Sequence, residues 1–360
     1  MKSKLKVLDL FSGAGGLSEG FRQMGFEIVA AVDNWTPAIV AHQANHPETN
    51  NIKADISKLD PSEFKDIDVI IGGPPCTEFS YSKKGGGGDI EKGMKLVLRF
   101  LYFVYKIKPR WWVMENVPRL LNTLPYEVPL NKIGVKRSGV LKIPMRYVLN
   151  AADYGNPQKR LRLISGNYPL PEQTHGENGF TTLNGKRISS WIFMRKIIEG
   201  LPNPCDEIKK GEVIKDPNYD NISIPIEELT DHFNCNLMSD EDAMKNKKSK
   251  TAHAWYGKMK FPDDLDRPSR TVMATQFDAS RETMVIEVKI GNKIKYRKPT
   301  VRECACLQAF PITYQFPANN IMTKYKLVGN AVPVKLASAI AKAMLKAERL
   351  PIHTSPIIKK

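Results

Sequence analysis

Cys76 is the residue best prepared to act as a nucleophile, because of what stands before it. Val69-Ile70-Ile71 is a continuous apolar run of the kind that forms a buried parallel strand. Gly72-Gly73-Pro74-Pro75 ends that strand abruptly and fixes the residue that follows. A thiol at the carboxyl end of a parallel strand lies where open α/β sheets bind ligands, and as a thiolate it could add to a substrate. The bland alternative is a small buried hydrophobe, which many free cysteines are. Glu115 follows the apolar run Trp111-Trp112-Val113-Met114, and Arg160 and Arg162 alternate along a predicted strand. The bland alternative for Glu115 is a surface ion pair, and for the arginines an exposed strand face. Asn116-Val117-Pro118 predicts a turn that would display Glu115, and alternation would put both arginines on one face.

A second kind of chemistry is written at the amino end. Asp9-Leu-Phe-Ser-Gly-Ala-Gly-Gly16 closes one strand and opens a helix. Glycines there let the backbone pass close to a ligand, and the helix start offers unpaired amides. The spacing is neither the dinucleotide fingerprint nor a phosphate loop, so neither NAD nor ATP is the expected occupant. Asp33, ending a second strand, suits ribose hydroxyls, and Asp55, after a third, suits an adenine amino group. Each aspartate alone could equally be a cap or turn residue. Three strand ends in succession favour a nucleotide-like cofactor.

The elements that must position these residues alternate through the first half. Strands are predicted at Val7–Phe11, Glu27–Val32, Val69–Ile71 and Trp111–Met114. Helices are predicted at Leu17–Met24, Pro37–Asn45 and Met94–Tyr105. That alternation predicts a doubly wound, Rossmann-like α/β sheet. From about 167 to 299 the pattern loosens into prolines, asparagines, charged runs and short β pieces such as Met284–Val288, which predicts a smaller irregular domain. A helix returns at Val334–Leu350, and residues 351–360 read as a tail. No internal repeat is visible.

Composition narrows the partners. The chain has 360 residues, 42% of them hydrophobic, enough for a large core and two domains. Its net charge is +16, with a sequence pI near 9.5, and the natural partner of so basic a protein is nucleic acid. A merely solubilising surface is the alternative. Basic residues cluster at Lys83-Lys84, Lys132–Lys142, Arg160 with Arg162, Lys245–Lys250 and Lys293–Lys298. No stretch approaches membrane-spanning length, and the predicted first strand leaves no room for a signal peptide, so no membrane is expected. Five irregularly spaced cysteines argue against a disulfide framework and for a reducing cytosol. Cys304 and Cys306 lack a second ligand pair at zinc-finger spacing, so no metal is expected.

The order of these motifs resembles that of the DNA (cytosine-5) methyltransferases over nearly the whole length. Asp9–Gly16 resembles the family's first motif, Pro74-Pro75-Cys76 its catalytic motif, and Met114-Glu115-Asn116-Val117 its glutamate motif. Gln158-Lys-Arg160-Leu-Arg162 resembles its Gln-x-Arg-x-Arg motif, Arg302–Pro311 its ninth and Gly329-Asn330-Ala331-Val332-Pro333 its tenth. The resemblance implies a catalytic and cofactor-binding domain over 1–166 and a target-recognition domain over 167–322, including the ninth motif at 300–311. It implies a segment over 323–350 that returns to the catalytic domain. It implies S-adenosyl-L-methionine as cofactor, S-adenosyl-L-homocysteine as product and double-stranded DNA as substrate. Phe11, Ser12, Gly13, Gly15, Gly16, Leu17, Asp33, Asn34, Asp55, Ile56, Pro75, Asn330 and Val332 would form the cofactor site.

In the chemistry so implied, Cys76 adds to C6 of cytosine while Glu115 holds the N3 side, protonated part of the time. Arg160 and Arg162 clamp O2 and a nearby phosphate or the thiolate. Methyl passes to C5, the C5 proton leaves and Cys76 is released. The base must first leave the duplex. The run after Cys76, from Ser80 through Lys83-Lys84 to Gly85–Gly88, would close over it as a lid and meet the DNA backbone. Arg270 and Arg281 would read bases or phosphates.

Three positions depart from the family pattern. Asp33 stands where glutamate is usual and keeps its acceptor role, and Thr77-Glu78 replaces Gln-Gly after the cysteine. Cys304 and Cys306 are expected in the core. Rival readings are a tRNA cytosine methyltransferase of the same fold, a non-catalytic DNA-binding regulator and an amino-group methyltransferase. The long segment between Arg162 and Arg302 favours DNA over tRNA. The retained Cys76, Glu115, Arg160 and Arg162 oppose the regulator. The context expected by analogy is a monomeric, cytoplasmic bacterial or phage enzyme paired with a restriction endonuclease.

Overall fold

A computed structural model of the chain describes residues 4–75, 90–208, 210–233, 235–252 and 258–349. Cys76, Thr77, Glu78, Ser80, Lys83, Lys84 and the proposed lid lie outside the described residues. The chain divides into two compact units: 1–154 with 161–173 and 334–360, and 155–160 with 174–333. These bounds differ from those read in the sequence. The first unit extends to 173, and the return begins at Val334 rather than 323, because the helix at Ile321–Asn330 packs with the second unit.

The first unit is built on a seven-stranded sheet. Its strands are β1 (Lys6–Leu10), β2 (Glu27–Asp33), β3 (Asn50–Lys53), β4 (Val69–Gly72), β5 (Trp111–Asn116), β6 (Met145–Asn150) and β7 (Leu161–Asn167). They lie in the order β3-β2-β1-β4-β5-β7-β6. β1 to β5 run parallel, and β7 is antiparallel to both its neighbours. β4 lies between β1 and β5 and is wholly buried, as its apolar run requires. Gly72 has a packing reason, since a Cβ there would come 2.1 Å from the Leu10 carbonyl.

Three helices follow strands, α1 (Gly16–Gln23), α2 (Thr36–Asn45) and α3 (Ile90–Ile107), and Val334–Arg349 forms a long C-terminal helix. Alternation along β1 sends Leu8 and Leu10 to the face covered by α3, where they pack with Val97, Phe100, Trp112 and Met114. Asp9 points to the opposite face and meets α1. The C-terminal helix lies so close to α1 that a Cβ on Gly20 would come within 2.4 Å of the Ala337 Cβ.

The second unit is irregular, with two-stranded hairpins at Val213–Lys215/Ser223–Pro225 and Ile286–Ile290/Lys293–Arg297. Buried ion pairs hold it. Arg302 makes a two-pronged pair with Asp231, and Arg297 another with Glu303. Glu303 also closes a capping box with Thr300 at the start of the helix Val301–Leu307. Cys304 and Cys306 lie on that helix, fully buried and free, and burial pushes both thiols up.

The cysteines, from which no disulfide framework is expected, include one bonded pair. Cys205 and Cys235 are bonded, their Cα atoms 4.7 Å apart. They stand 30 residues apart in irregular chain, so their spacing carried no sign of the approach. Among the described residues no helix is long and apolar enough to cross a membrane, and no cluster of His, Cys, Asp or Glu could hold a metal ion.

Candidate active site

Glu115 sits inside β5, which extends to Asn116 and so includes the residue expected at the turn. It faces Ile164 of β7, and Arg162 follows two residues away on the same face. Arg162 Nε lies 2.8 Å from Glu115 Oε1, with both side chains about one-eighth exposed. The carboxylate and guanidinium thus form a largely desolvated pair that still reaches the surface. Glu115 Oε2 is also where a Cβ on Gly73 would arrive, at 3.2 Å. The glycine before Pro74 therefore keeps the space beside the carboxylate clear.

Asn116 ties the end of β5 to Pro74. Its Nδ2 donates to the Pro74 carbonyl at 3.0 Å, and its Oδ1 accepts from Val117 N at 2.9 Å. Pro74 is buried and Pro75 exposed, so the Pro-Pro segment is anchored at Pro74 and reaches the surface at Pro75. Sequence reasoning assigned no role to Asn116, although it stands inside the quoted glutamate motif.

The two arginines are parted. Arg162 belongs to β7 of the first unit, whereas Arg160 precedes the strand and belongs to the second. Arg160 is buried, and its guanidinium donates to the carbonyls of Val272, Gly329 and Ala331. Around it, Gln158 accepts from Val272 N and donates to Gln308, which in turn donates to the carbonyls of Val328 and Ala331. Motifs far apart in sequence are thereby welded through side-chain-to-backbone bonds. Asn330 ends the helix Ile321–Asn330 and is exposed; Val332 is buried just beyond it, both in the second unit.

Asp33 reaches the glycine turn after β1, which backbone bonds from Ser12 N to the Val32 carbonyl and from Gly15 N to the Ser12 carbonyl also hold. Asp33 Oδ2 accepts from Gly13 N at 2.9 Å and Oδ1 from Trp35 N at 2.8 Å. Burial pushes this carboxyl up, and the backbone N–H groups of Trp35 and Gly13 oppose the shift. Phe11 and Gly13 both take positive φ, and nothing lies within 4 Å of where a Gly13 Cβ would point. Gly15 caps α1 with no side-chain bond, ahead of buried Gly16 and Leu17. Ser12 Oγ is buried without a hydrogen-bond partner among the described residues. Open space, uncapped helix amides and an orphaned hydroxyl suit a ligand carrying carboxylate and hydroxyl groups, so the turn fits an adenosyl-amino-acid cofactor.

Asn34 is exposed after β2. Asp55 is also exposed, and its Oδ1 caps the short turn Ile56–Lys58 by accepting from Ser57 N and Oγ. Those bonds hold its carboxyl below the usual range. Ile56 is buried.

Arg270 and Arg281 are engaged with acids. Arg270 Nε donates to Asp263 Oδ1 at 2.6 Å, and Lys250 Nζ reaches Asp263 Oδ2 at 2.8 Å. Arg281 pairs with Glu282 at 3.0 Å.

Comparison with known proteins agrees with the geometry. The family model for C-5 cytosine-specific DNA methylase matches residues 5–346. The Type II methyltransferase M.MthTI of Methanothermobacter thermautotrophicus is 32% identical over 354 residues, covering 95% of this chain and 97% of that protein. M.NgoPII of Neisseria gonorrhoeae is 29% identical over 360 residues, covering 95% and 96%. Two solved structures share the fold. An E. coli prophage protein described as a DNA modification methyltransferase has a TM-score of 0.65 at 22% identity, covering 96% of this chain and 100% of that one. Spodoptera frugiperda DNMT2 has 0.60 at 20%, covering 95% and 100%. The chain belongs to the C-5 cytosine-specific DNA methylase family and is, by that membership, a DNA cytosine-5 methyltransferase.

Proposed function

We propose that this enzyme methylates a target cytosine within a specific sequence of duplex DNA, in the manner of a restriction–modification methyltransferase. The observation that carries the reading is the Glu115–Arg162 pair beside a Pro74-Pro75 segment anchored by Asn116. A base turned out of the duplex would meet Glu115 along its N3 edge and Arg162 at O2. As the Cys76 thiolate forms a bond to C6, electrons move toward N3 and O2, where hydrogen bonds and a cation stabilise them. That makes C5 nucleophilic. S-adenosylmethionine, when bound, supplies an activated methyl group for C5. Loss of the C5 proton and rupture of the Cys76–C6 bond then restore the aromatic ring and the free thiolate.

Ser12, Gly13, Gly15, Gly16, Leu17 and Asp33 would hold the cofactor at the glycine turn, with Phe11 against its adenine. Asn34, Asp55, Ile56, Pro75, Asn330 and Val332 are further proposed contacts. Arg160 acts as a positioning residue in this reading, since its donors are engaged by carbonyls. The second unit would read the target sequence. Arg270 and Arg281 then contribute either by the groups that Asp263 and Glu282 leave exposed or by shaping the surface. Support for double-stranded DNA as partner comes from the net charge of +16 and the match to the DNA-methylase family. A cytoplasmic location, a monomeric state and pairing with a restriction endonuclease complete the proposal.

Incubation of the enzyme with unmethylated plasmid and cofactor, followed by hydrolysis to nucleosides, tests it. The expected product is 5-methyldeoxycytidine. N4-methyldeoxycytidine, N6-methyldeoxyadenosine or no modified nucleoside would contradict it.

A further inference from the structure

Beneath the glycine turn, on the sheet face covered by α1, lies a line of buried polar groups that the proposed methyl transfer does not use. Ser18 Oγ is 2.6 Å from Asp9 Oδ2 and 3.0 Å from His42 Nε2. His42 Nδ1 is 2.6 Å from Asn51 Oδ1. Asp9, Ser18 and His42 are fully buried, and they come from β1, α1 and α2.

The bonding pattern fixes how many protons the line must contain. Asn51 Nδ2 donates to the carbonyls of His46 and Thr49, so Asn51 Oδ1 faces His42 as an acceptor. His42 Nδ1 must therefore carry a proton. A neutral imidazole then has a bare lone pair at Nε2, which needs the single Ser18 proton. If Ser18 donates to His42, the 2.6 Å contact between Ser18 Oγ and Asp9 Oδ2 has no proton unless Asp9 supplies one. An ionised Asp9 beside a neutral His42 leaves one of the two contacts as lone pair against lone pair.

Two further observations place the extra proton on Asp9. Its Oδ1 is buried without a hydrogen-bond partner among the described residues, a position far less costly for a neutral acid than for a carboxylate. Asp33, whose carboxylate holds the Gly13 and Trp35 amides, is near enough that its charge opposes ionisation of Asp9. We propose that Asp9 and His42 share one buried proton through Ser18, resting on Asp9, and that this proton holds the start of α1 and the glycine turn in the form that binds cofactor. Asp9 and His42 are then positioning residues, and the second half of the proposal rests on the cofactor reading above.

The electrostatic surroundings agree. Burial pushes Asp9 up to about 7 and His42 down to about 4. The other titratable groups facing the line are Asp33 on β2, His46 just past the end of α2, its ring centroid 4.5 Å from that of His42, and the Glu19–Arg22 pair on α1 beside His46. His46 is also pushed down, to about 2, so it brings no positive charge to His42 near neutrality.

The cofactor-free protein tests the first half. At about pH 6, below the Asp9 value, an infrared difference between wild type and Asp9→Asn should show an un-ionised carboxyl stretch. The imidazole nitrogen-15 shifts should show His42 neutral and protonated at Nδ1. An ionised Asp9 at that pH, whatever the state of His42, overturns the proposal, and this reading needs no variant beyond a spectral reference.

Titration with S-adenosylhomocysteine tests the second half. Asparagine reproduces the donor of the protonated acid and cannot ionise. The wild type should lose about tenfold or more in affinity between about pH 6.5 and 8.5, while Asp9→Asn stays level. Identical pH profiles for the two proteins would overturn the link to binding. Absence of binding at every pH would sink the cofactor reading and leave the proton assignment to the spectra.

Discussion

Arg162 and Glu115 meet diagonally across two antiparallel strands, with guanidinium Nε 2.8 Å from carboxylate Oε1. The pair lies at the carboxyl end of β5, where the neighbouring Asn116 anchors Pro74. Removing either partner leaves a charge in a largely desolvated place. Glu115→Gln keeps the shape and deletes the charge. It should lower kcat for methyl transfer by about 100-fold to 10,000-fold, the range for a lost acid–base group. Arg162→Lys keeps the charge and loses the planar fork, and should fall between wild type and Arg162→Ala. Steady-state kinetics on plasmid DNA, with circular dichroism to establish folding, checks both.

Asn116 is predicted to matter for a different reason. Asn116→Ala leaves the buried Pro74 carbonyl without its donor, at a cost of about 1–3 kcal/mol. The thermal midpoint should fall, and kcat should fall more than the stability loss explains, because the segment entering Cys76 loses its anchor. Equal kcat at a temperature where both proteins are folded would rule out that anchoring role.

Glycines in this chain separate packing from binding. At Gly72 an added methyl would strike backbone, 2.1 Å from the Leu10 carbonyl, so Gly72→Ala should destabilise the first unit severely. At Gly13 the methyl meets open space, and only the positive φ resists it, at about 1 kcal/mol. Gly13→Ala should therefore remain folded while losing affinity for S-adenosylhomocysteine, which calorimetric titration would measure.

Arg160 should behave as part of the second unit's frame. Arg160→Met removes the donors to Val272, Gly329 and Ala331, and each lost charge-assisted bond costs about 1.5–3 kcal/mol. Hydrogen exchange should quicken at 272 and 328–331, with the sheet of the first unit unchanged. Unchanged exchange there would show that the guanidinium is dispensable to the frame.

Stability should also carry the mark of Asp9. Its folded value, about 7, lies above the ordinary 3.8. A group raised in this way contributes fully below about pH 4, and its contribution is lost as pH rises through about 7. His42, lowered to about 4, has the opposite sense: its contribution is present above about 6.5 and lost as pH falls toward 4. Total stability mixes the two. The difference between wild type and Asp9→Asn isolates the first, and it should decline steadily from about pH 4 to 7 in urea unfolding.

Much of this arrangement was legible in the sequence, and the reason is local. The apolar runs of β1, β4 and β5 have period and length enough to name a parallel sheet, and glycine and proline mark where each ends. The motif order named the family for the same reason. What stayed hidden depends on contacts between distant residues. Alternation alone put Arg160 and Arg162 on one face, but the strand begins at Leu161 and Arg160 turns away to three carbonyls. The Asn116–Pro74 tie spans 42 residues, and the approach of Cys205 to Cys235 spans 30. Arg270 looked free in the sequence because nothing local predicts that Asp263 would hold it together with Lys250.

The most direct test of the central claim is transfer of labelled methyl from S-adenosylmethionine to duplex DNA and to tRNA, by wild type and Cys76→Ala side by side, with base-resolution mapping. Label is expected at C5 of cytosines in one short duplex sequence, with none on tRNA and none from the variant. Label on tRNA alone, or label on DNA that survives loss of Cys76, would contradict it.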